Sequence, residues 1–351
     1  MTRKSKRQIL SLLMGFFWLV EPSFAFAQVS DSRQRDFLAA LALEFQAAGQ
    51  PDYQAAAALY ETAARAGSRE AVLALARLYG PDEPLWSGPE NWRNRLVSAV
   101  GAGWPEAAYN LARALESGQI DPAASPYPIT ALYIQAASAG FGPAALRLGQ
   151  LYLEGGAGLS RQDESQAAMW FTVAAENHEP AAFLALGQLF YETNPGVAAR
   201  WLERASAPEA SYLLGELYLN DRRIIEAVSA FTAAADQNYP PAHLSLGLLN
   251  LDNEYGRRPN VREALRHLKI AAQAGLPDGA YHLAHMYFKG QGTPKDPIIA
   301  AYWLNRAAEG DHPSARGEFE KMVRNFTEGQ QKRLERMIAD NQVPTMQVPV
   351  Q

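Results

Sequence analysis

The residues of this 351-residue chain whose types and spacing could do chemistry are six histidines, a glycine run and a few paired carboxylates. His282 and His285 stand one helical turn apart and could share a metal, with His243 and His267 close by in sequence. Yet His267 falls where tryptophans stand elsewhere in the chain, and no carboxylate lies at a matching offset, so packing is the simpler reading. Gly155-Gly156-Ala157-Gly158 looks like a phosphate cradle, but such a loop follows a strand and carries a lysine beside Ser or Thr. Here the run follows a helical stretch without lysine, so it and Gly290-Gln291-Gly292 read as turns. Asp163 and Glu164 read as a helix start. There is no Gly-x-Ser-x-Gly elbow, no His-Glu-x-x-His helix and no cysteine nucleophile. The sequence therefore assigns no catalytic residue, no metal site and no cofactor, and reads as a non-enzyme.

Helices must position whatever these residues do. A Leu followed by a small residue recurs at Leu41-Ala42, Leu75-Ala76, Leu111-Ala112, Leu148-Gly149, Leu186-Gly187, Leu214-Gly215, Leu246-Gly247 and Leu283-Ala284. Successive small residues are 34, 36, 37, 38, 28, 32 and 37 apart. That period belongs to arrays of helical hairpins and predicts an all-α solenoid of about eight helix-turn-helix repeats. In the fourth repeat, Pro143 opens helix A, and Ala145, Leu148, Gly149 and Tyr152 recur at helical spacing. Gly149 lets helix B approach closely. Asp163 caps helix B, whose apolar face is read as Ala167, Trp170 and Ala174. His178 and Asn238 occupy the helix-ending position held by Gly67, Gly103, Gly140 and Gly275, so a left-handed backbone is expected there.

This pattern resembles the Sel-one-like repeat (SLR) family, within the tetratricopeptide-repeat superfamily. The match is fullest over Ala144–His178 and Gly279–Gly310, where Leu283, Ala284, Tyr287, Gly290, Gly292, Asp296, Trp303, Ala307 and Ala308 fall in place. The first three repeats match more loosely, and the fifth and sixth lack the long glycine-rich turn. The resemblance implies a right-handed α-solenoid that binds proteins without catalysis of its own. The shortened repeats predict a change of curvature near residues 192–225.

The chain ends divide the sequence further. Arg3, Lys4, Lys6 and Arg7, the apolar stretch Ile9–Val20 and Ala25-Phe26-Ala27 read as a secretory signal over residues 1–27, cut after Ala27. The apolar stretch is shorter than the about 20 residues a bilayer needs, so no membrane span is expected after cleavage. The repeat solenoid is assigned to residues 28–313, a C-terminal capping helix region to 314–341, and a flexible tail to 342–351. Cleavage removes four basic residues and Glu21, moving the formal charge from −5 to −8, which argues against nucleic acid. Beyond the signal, every lysine lies at Lys269 or later.

In tetratricopeptide-like arrays helix A lines the concave face, so its positions outside the hairpin core form the natural binding set. They are Arg77, Tyr109, Arg113, Gln150, Gln188, Tyr191, Tyr212, Glu216, Tyr281, His285 and Phe288. These residues suggest an apolar or amphipathic polypeptide partner, oriented by Arg77 and Arg113 and held by the aromatics. The resulting expectation is a periplasmic scaffold or adaptor that binds other proteins. Relatives of this kind serve in exopolysaccharide-secretion complexes or as envelope-signalling regulators. The alternative is a module that binds polysaccharide or peptidoglycan through exposed Trp and Tyr, with Trp86, Trp92 and Trp104 clustered near the second repeat.

Overall fold

The computed structural model describes residues 31–45, 51–78, 91–156, 162–252 and 258–341. The expected signal, its cut after Ala27, the tail 342–351, Trp86, the Trp92 side chain, Ala157 and Gly158 lie outside what is described. The described residues form eighteen α-helices and no strand. None of these helices is long and apolar enough to cross a membrane.

Two compact units divide between Ala182 and Phe183. The first holds α1 (Ser32–Glu44), α2 (Tyr53–Arg65), α3 (Arg69–Leu78), α4 (Asn91–Gly101), α5 (Pro105–Glu116), α6 (Ile129–Ser138), α7 (Gly142–Glu154) and α8 (Glu164–Glu176). α9 (Pro180–Phe190) contains the boundary. The second unit continues with α10 (Pro195–Leu202), α11 (Pro208–Asn220), α12 (Ile224–Ala235), α13 (Pro240–Leu251) and α14 (Val261–Gln273). It ends with α15 (Pro277–Lys289), α16 (Pro297–Glu309), α17 (Ala315–Val323) and α18 (Glu328–Ala339). Within each unit the main packing joins helices adjacent, or next but one, in sequence. The cores follow suit: one is built by Ala40, Tyr60 and Leu75, another by Ala227, Phe231 and Leu246. Stability is therefore distributed along the chain, as in quasi-one-dimensional repeats.

Local chemistry explains the hairpins. Prolines sit in the first turn of α5, α7, α11, α13 and α15, where a missing N–H costs nothing. Side-chain oxygens of Asp52, Asp163, Asn194, Asn260 and Asp296 cap α2, α8, α10, α14 and α16. A Cβ on Gly215 would lie 2.7 Å from the Phe231 ring, so only glycine admits helix B at that distance. Gly149 meets Phe171 in the same way. The sequence reading put Trp170 on that apolar face; the structure places Phe171 there, fully buried, with Trp170 half-buried one helical step around. The expected left-handed turns are present, with φ of 60° at His178 and 59° at Asn238, alongside 92° at Gly67 and 90° at Gly275.

One element went unread in the sequence. The region assigned to a capping helix holds two helices, α17 before the expected α18. A reciprocal capping box between Thr327 and Gln330 opens α18. The fifth hairpin is indeed short, since α10 spans eight residues.

Candidate interaction site

In the first unit Arg77 and Tyr109 meet partners on neighbouring hairpins, and Arg113 and Gln150 meet partners on their own helices. Arg77 on α3 donates to Glu44 on α1 (2.6 Å), and Tyr60 on α2 donates to the same carboxylate (2.8 Å). The Glu44 side chain is only 1% exposed, so its charge requires such partners. Burial pushes the Tyr60 phenol well above its usual pKa, and Glu44 reinforces the shift. The arrangement returns further along. Glu116 on α5 accepts from Tyr133 on α6 (2.5 Å) and from Arg147 Nε on α7 (3.0 Å). Burial disfavours the Glu116 carboxylate, but these two hydrogen bonds prevail and hold its pKa below the ordinary value. Gln150 accepts from Arg147 at 3.1 Å. Tyr109 packs on Phe141 (5.1 Å between ring centroids) with the Arg113 guanidinium over its face, while Arg113 itself is exposed. Burial raises the Tyr109 pKa.

The second unit gathers the remaining predicted residues into two places. At the first, Tyr212 donates to Glu216 Oε1 (2.7 Å) and Tyr191 to Oε2 (3.2 Å). Nearby, Gln188 donates to Glu209 at 2.8 Å. Burial, then the Glu216 charge, pushes Tyr191 up to about 12. The Tyr212 ring also packs on Phe231 and Tyr239, so it contributes to the hairpin core as well as to the surface. At the second place, Tyr281 donates to Glu318 Oε1 (2.8 Å) and stacks on His312 at 3.9 Å. His285 Nε2 lies 3.0 Å from Glu318 Oε2, off the angle of a hydrogen bond. The Glu318 hydrogen bond, aided by burial, raises the Tyr281 pKa. Beside this cluster opens a groove of about 640 Å³ between α15, α16, α17 and the start of α18. Ala284, Phe288, Leu304, Met322 and Phe326 give it an apolar lining, and Phe288 is 42% exposed.

Among the described residues no group of three or more His, Asp or Glu could hold an ion. His243 and His267 meet instead in the core, Nδ1 to Nδ1 at 2.8 Å, while Arg266 reaches His267 Nε2 at 2.7 Å. Because a guanidinium only donates, His267 Nε2 must accept, and its Nδ1–H donates to His243. Burial, then the Arg266 charge, depresses both pKa values, that of His267 to about 4. Three of the described tryptophans are also committed to intramolecular contacts. Trp104 lies under Arg69, Trp201 packs on Phe183 and Arg204, and Trp303 is buried.

Sequence reasoning missed Glu44, Tyr60, Tyr133, Arg147, Glu318 and His312. A signal existed: in the first unit, Glu on helix A precedes a Tyr on helix B by 16 or 17 residues and an Arg on the next helix A by 33 or 31. Reading helix A alone could not reveal it.

Known proteins support the same architecture. The Sel1 repeat family model matches residues 37–68, 105–124, 142–178, 182–207, 208–228, 240–276 and 277–312, more than half of the chain. An uncharacterized protein of Neisseria meningitidis serogroup B is 31% identical over 283 residues, covering 78% of this chain and 57% of that protein. Chitin synthase regulatory factor 3 of Schizosaccharomyces pombe is 30% identical over 247 residues, covering 64% of this chain and 26% of that protein. The chain thus spans 57% and 26% of the lengths of these two curated relatives. The fold resembles that of c5321, a protective antigen of uropathogenic Escherichia coli displaying an SLR fold. Their TM-score is 0.68 at 20% identity, over 88% of this chain and 68% of that one. It also resembles a Sel1 repeat protein from Oxalobacter formigenes, with a TM-score of 0.60 at 21% identity over 90% and 92% of the two chains.

Proposed function

The chain belongs to the Sel1 repeat family, whose hairpins generally serve as protein–protein interaction scaffolds, and from that premise we propose that it is a periplasmic scaffold holding polypeptide partners on its helix A side chains. The observation that carries this reading is the open groove beside α15. Phe288, Met322 and Phe326 stay available there, whereas most large apolar side chains are spent within hairpins. Exposed apolar surface rimmed by polar groups marks interaction sites. Arg113 and Gln188 add exposed polar contacts from α5 and α9. The basic residues and apolar stretch before Ala27 support export to the periplasm. The length of the repeat array favours assembly of an exopolysaccharide-secretion complex over envelope signalling.

A photo-crosslinking amino acid placed at Phe288 tests the scaffold reading in living cells. A discrete polypeptide adduct is expected in the osmotic-shock fraction, with none from the same group at Glu61 on α2. Absence of any adduct at Phe288 overturns the binding role, and retention of the protein in the spheroplasts overturns the location.

A further inference from the structure

The lysine distribution, unexplained by the repeat pattern, acquires a meaning at the groove. After Lys6 the sequence has lysines only at 269, 289, 295, 321 and 332. Lys289 and Lys321 line the groove, and Lys295 sets its ammonium 5.3 Å from the Phe288 ring centroid. The nearby carboxylates already have partners. Glu318 accepts from Tyr281, Asp296 caps α16 and faces Arg333, Glu320 faces Arg324, and Glu328 holds Lys332. Among the described residues, Lys289 and Lys321 pair with none of them, and both are exposed. An apolar floor therefore carries two unpaired lysines on its rim, with Glu318, held by Tyr281, the one carboxylate among the lining residues.

We propose that this groove takes an acidic, amphipathic polypeptide segment, seating an aliphatic or aromatic side chain beside Phe288 and Met322 with its carboxylates on Lys289 and Lys321. The inference rests on the scaffold reading and supplies the partner's chemistry. Burying the apolar side chain provides most of the affinity. Lysine is a compact, hydrated charge on a flexible stem, suited to a solvated rim rather than a buried fork. Such rim charges select the partner's sign and speed its approach more than they tighten the complex.

Fluorescence anisotropy of the full chain with two labelled dodecapeptides tests this, each holding a leucine–phenylalanine pair flanked by glutamates or by lysines. The glutamate peptide is expected to bind at least tenfold more tightly, and less tightly as salt is raised. Lys289→Glu with Lys321→Glu should invert the preference, while Phe288→Ala should weaken the glutamate peptide roughly tenfold. Far-UV circular dichroism shows whether each variant is folded. Equal binding of both peptides, lost in Phe288→Ala, overturns the acidic partner and leaves the scaffold reading standing. Binding of neither peptide overturns the inference and removes the groove from the scaffold reading as well. A concentration-dependent dimer abolished by Phe288→Glu would assign the groove to a second copy and overturn it too.

Discussion

Carboxylates gather tyrosines in both units, but in the first unit each also holds an arginine, and in the second it does not. Glu44 and Glu116 are each met by a tyrosine of helix B and an arginine of the next helix A. Glu216 is met by two tyrosines, and Glu318 by a tyrosine with His285 alongside. Burial tracks the difference at its extremes, since the Glu44 side chain is 1% exposed and that of Glu318 is 34% exposed. A carboxylate removed from water needs a full opposite charge, whereas one that keeps water on one side is served by phenol donors. The first-unit clusters act as staples between hairpins. Those of the second unit lie nearer the surface.

Breaking a staple should have the largest effect. Arg77→Met strands the buried Glu44 and is expected to destabilise the protein by about 3–5 kcal/mol, read from urea unfolding. Arg147→Met, beside the 25%-exposed Glu116, should cost about 1–2 kcal/mol. Equal costs would break the account by burial.

The second unit carries a pH dependence of its own. The His267 pKa is depressed from 6.5 to about 4 in the fold, so the folded state binds fewer protons than the unfolded chain in between. The contribution of His267 to stability is complete above pH 6.5 and is lost as the pH falls towards about 4. Thermal melts should show that loss between about pH 6.5 and 5, before most carboxylates titrate. Joint replacement of His243 and His267 by leucine should flatten it, and a retained slope would place the titration elsewhere.

Removing a single phenol hydroxyl sharpens the contrast. Tyr191→Phe removes a 3.2 Å bond to a half-exposed carboxylate and should cost about 0.5 kcal/mol. Tyr60→Phe removes one from the buried Glu44 and should cost about 1–3 kcal/mol.

Much of the fold was legible because its signals are local. Leu148 and Gly149 mark helix A, Asp163 caps helix B, and His178 takes the left-handed turn that glycines take elsewhere. α17 escaped notice because Ala315–Val323 has no side-chain cap and only Ala315 is buried. The candidate site was legible in part. Phe288 and His285 do line the groove, and Tyr191, Tyr212 and Glu216 do converge. The engagement of Arg77 by Glu44, across 33 residues, depends on how far a buried carboxylate lies from water, which no single-helix pattern records.

By itself the sequence determined the ladder of hairpins, because helical periodicity, caps and small residues at close approaches act within one repeat or between adjacent helices. Only the tertiary structure decided what each polar side chain became. Glu44 became a staple, His243 and His267 a neutral buried pair, and Lys289 and Lys321 an unpaired rim. Those outcomes depend on burial and on partners 16 to 33 residues away for the staple and the histidine pair, quantities that exist only once the hairpins have stacked.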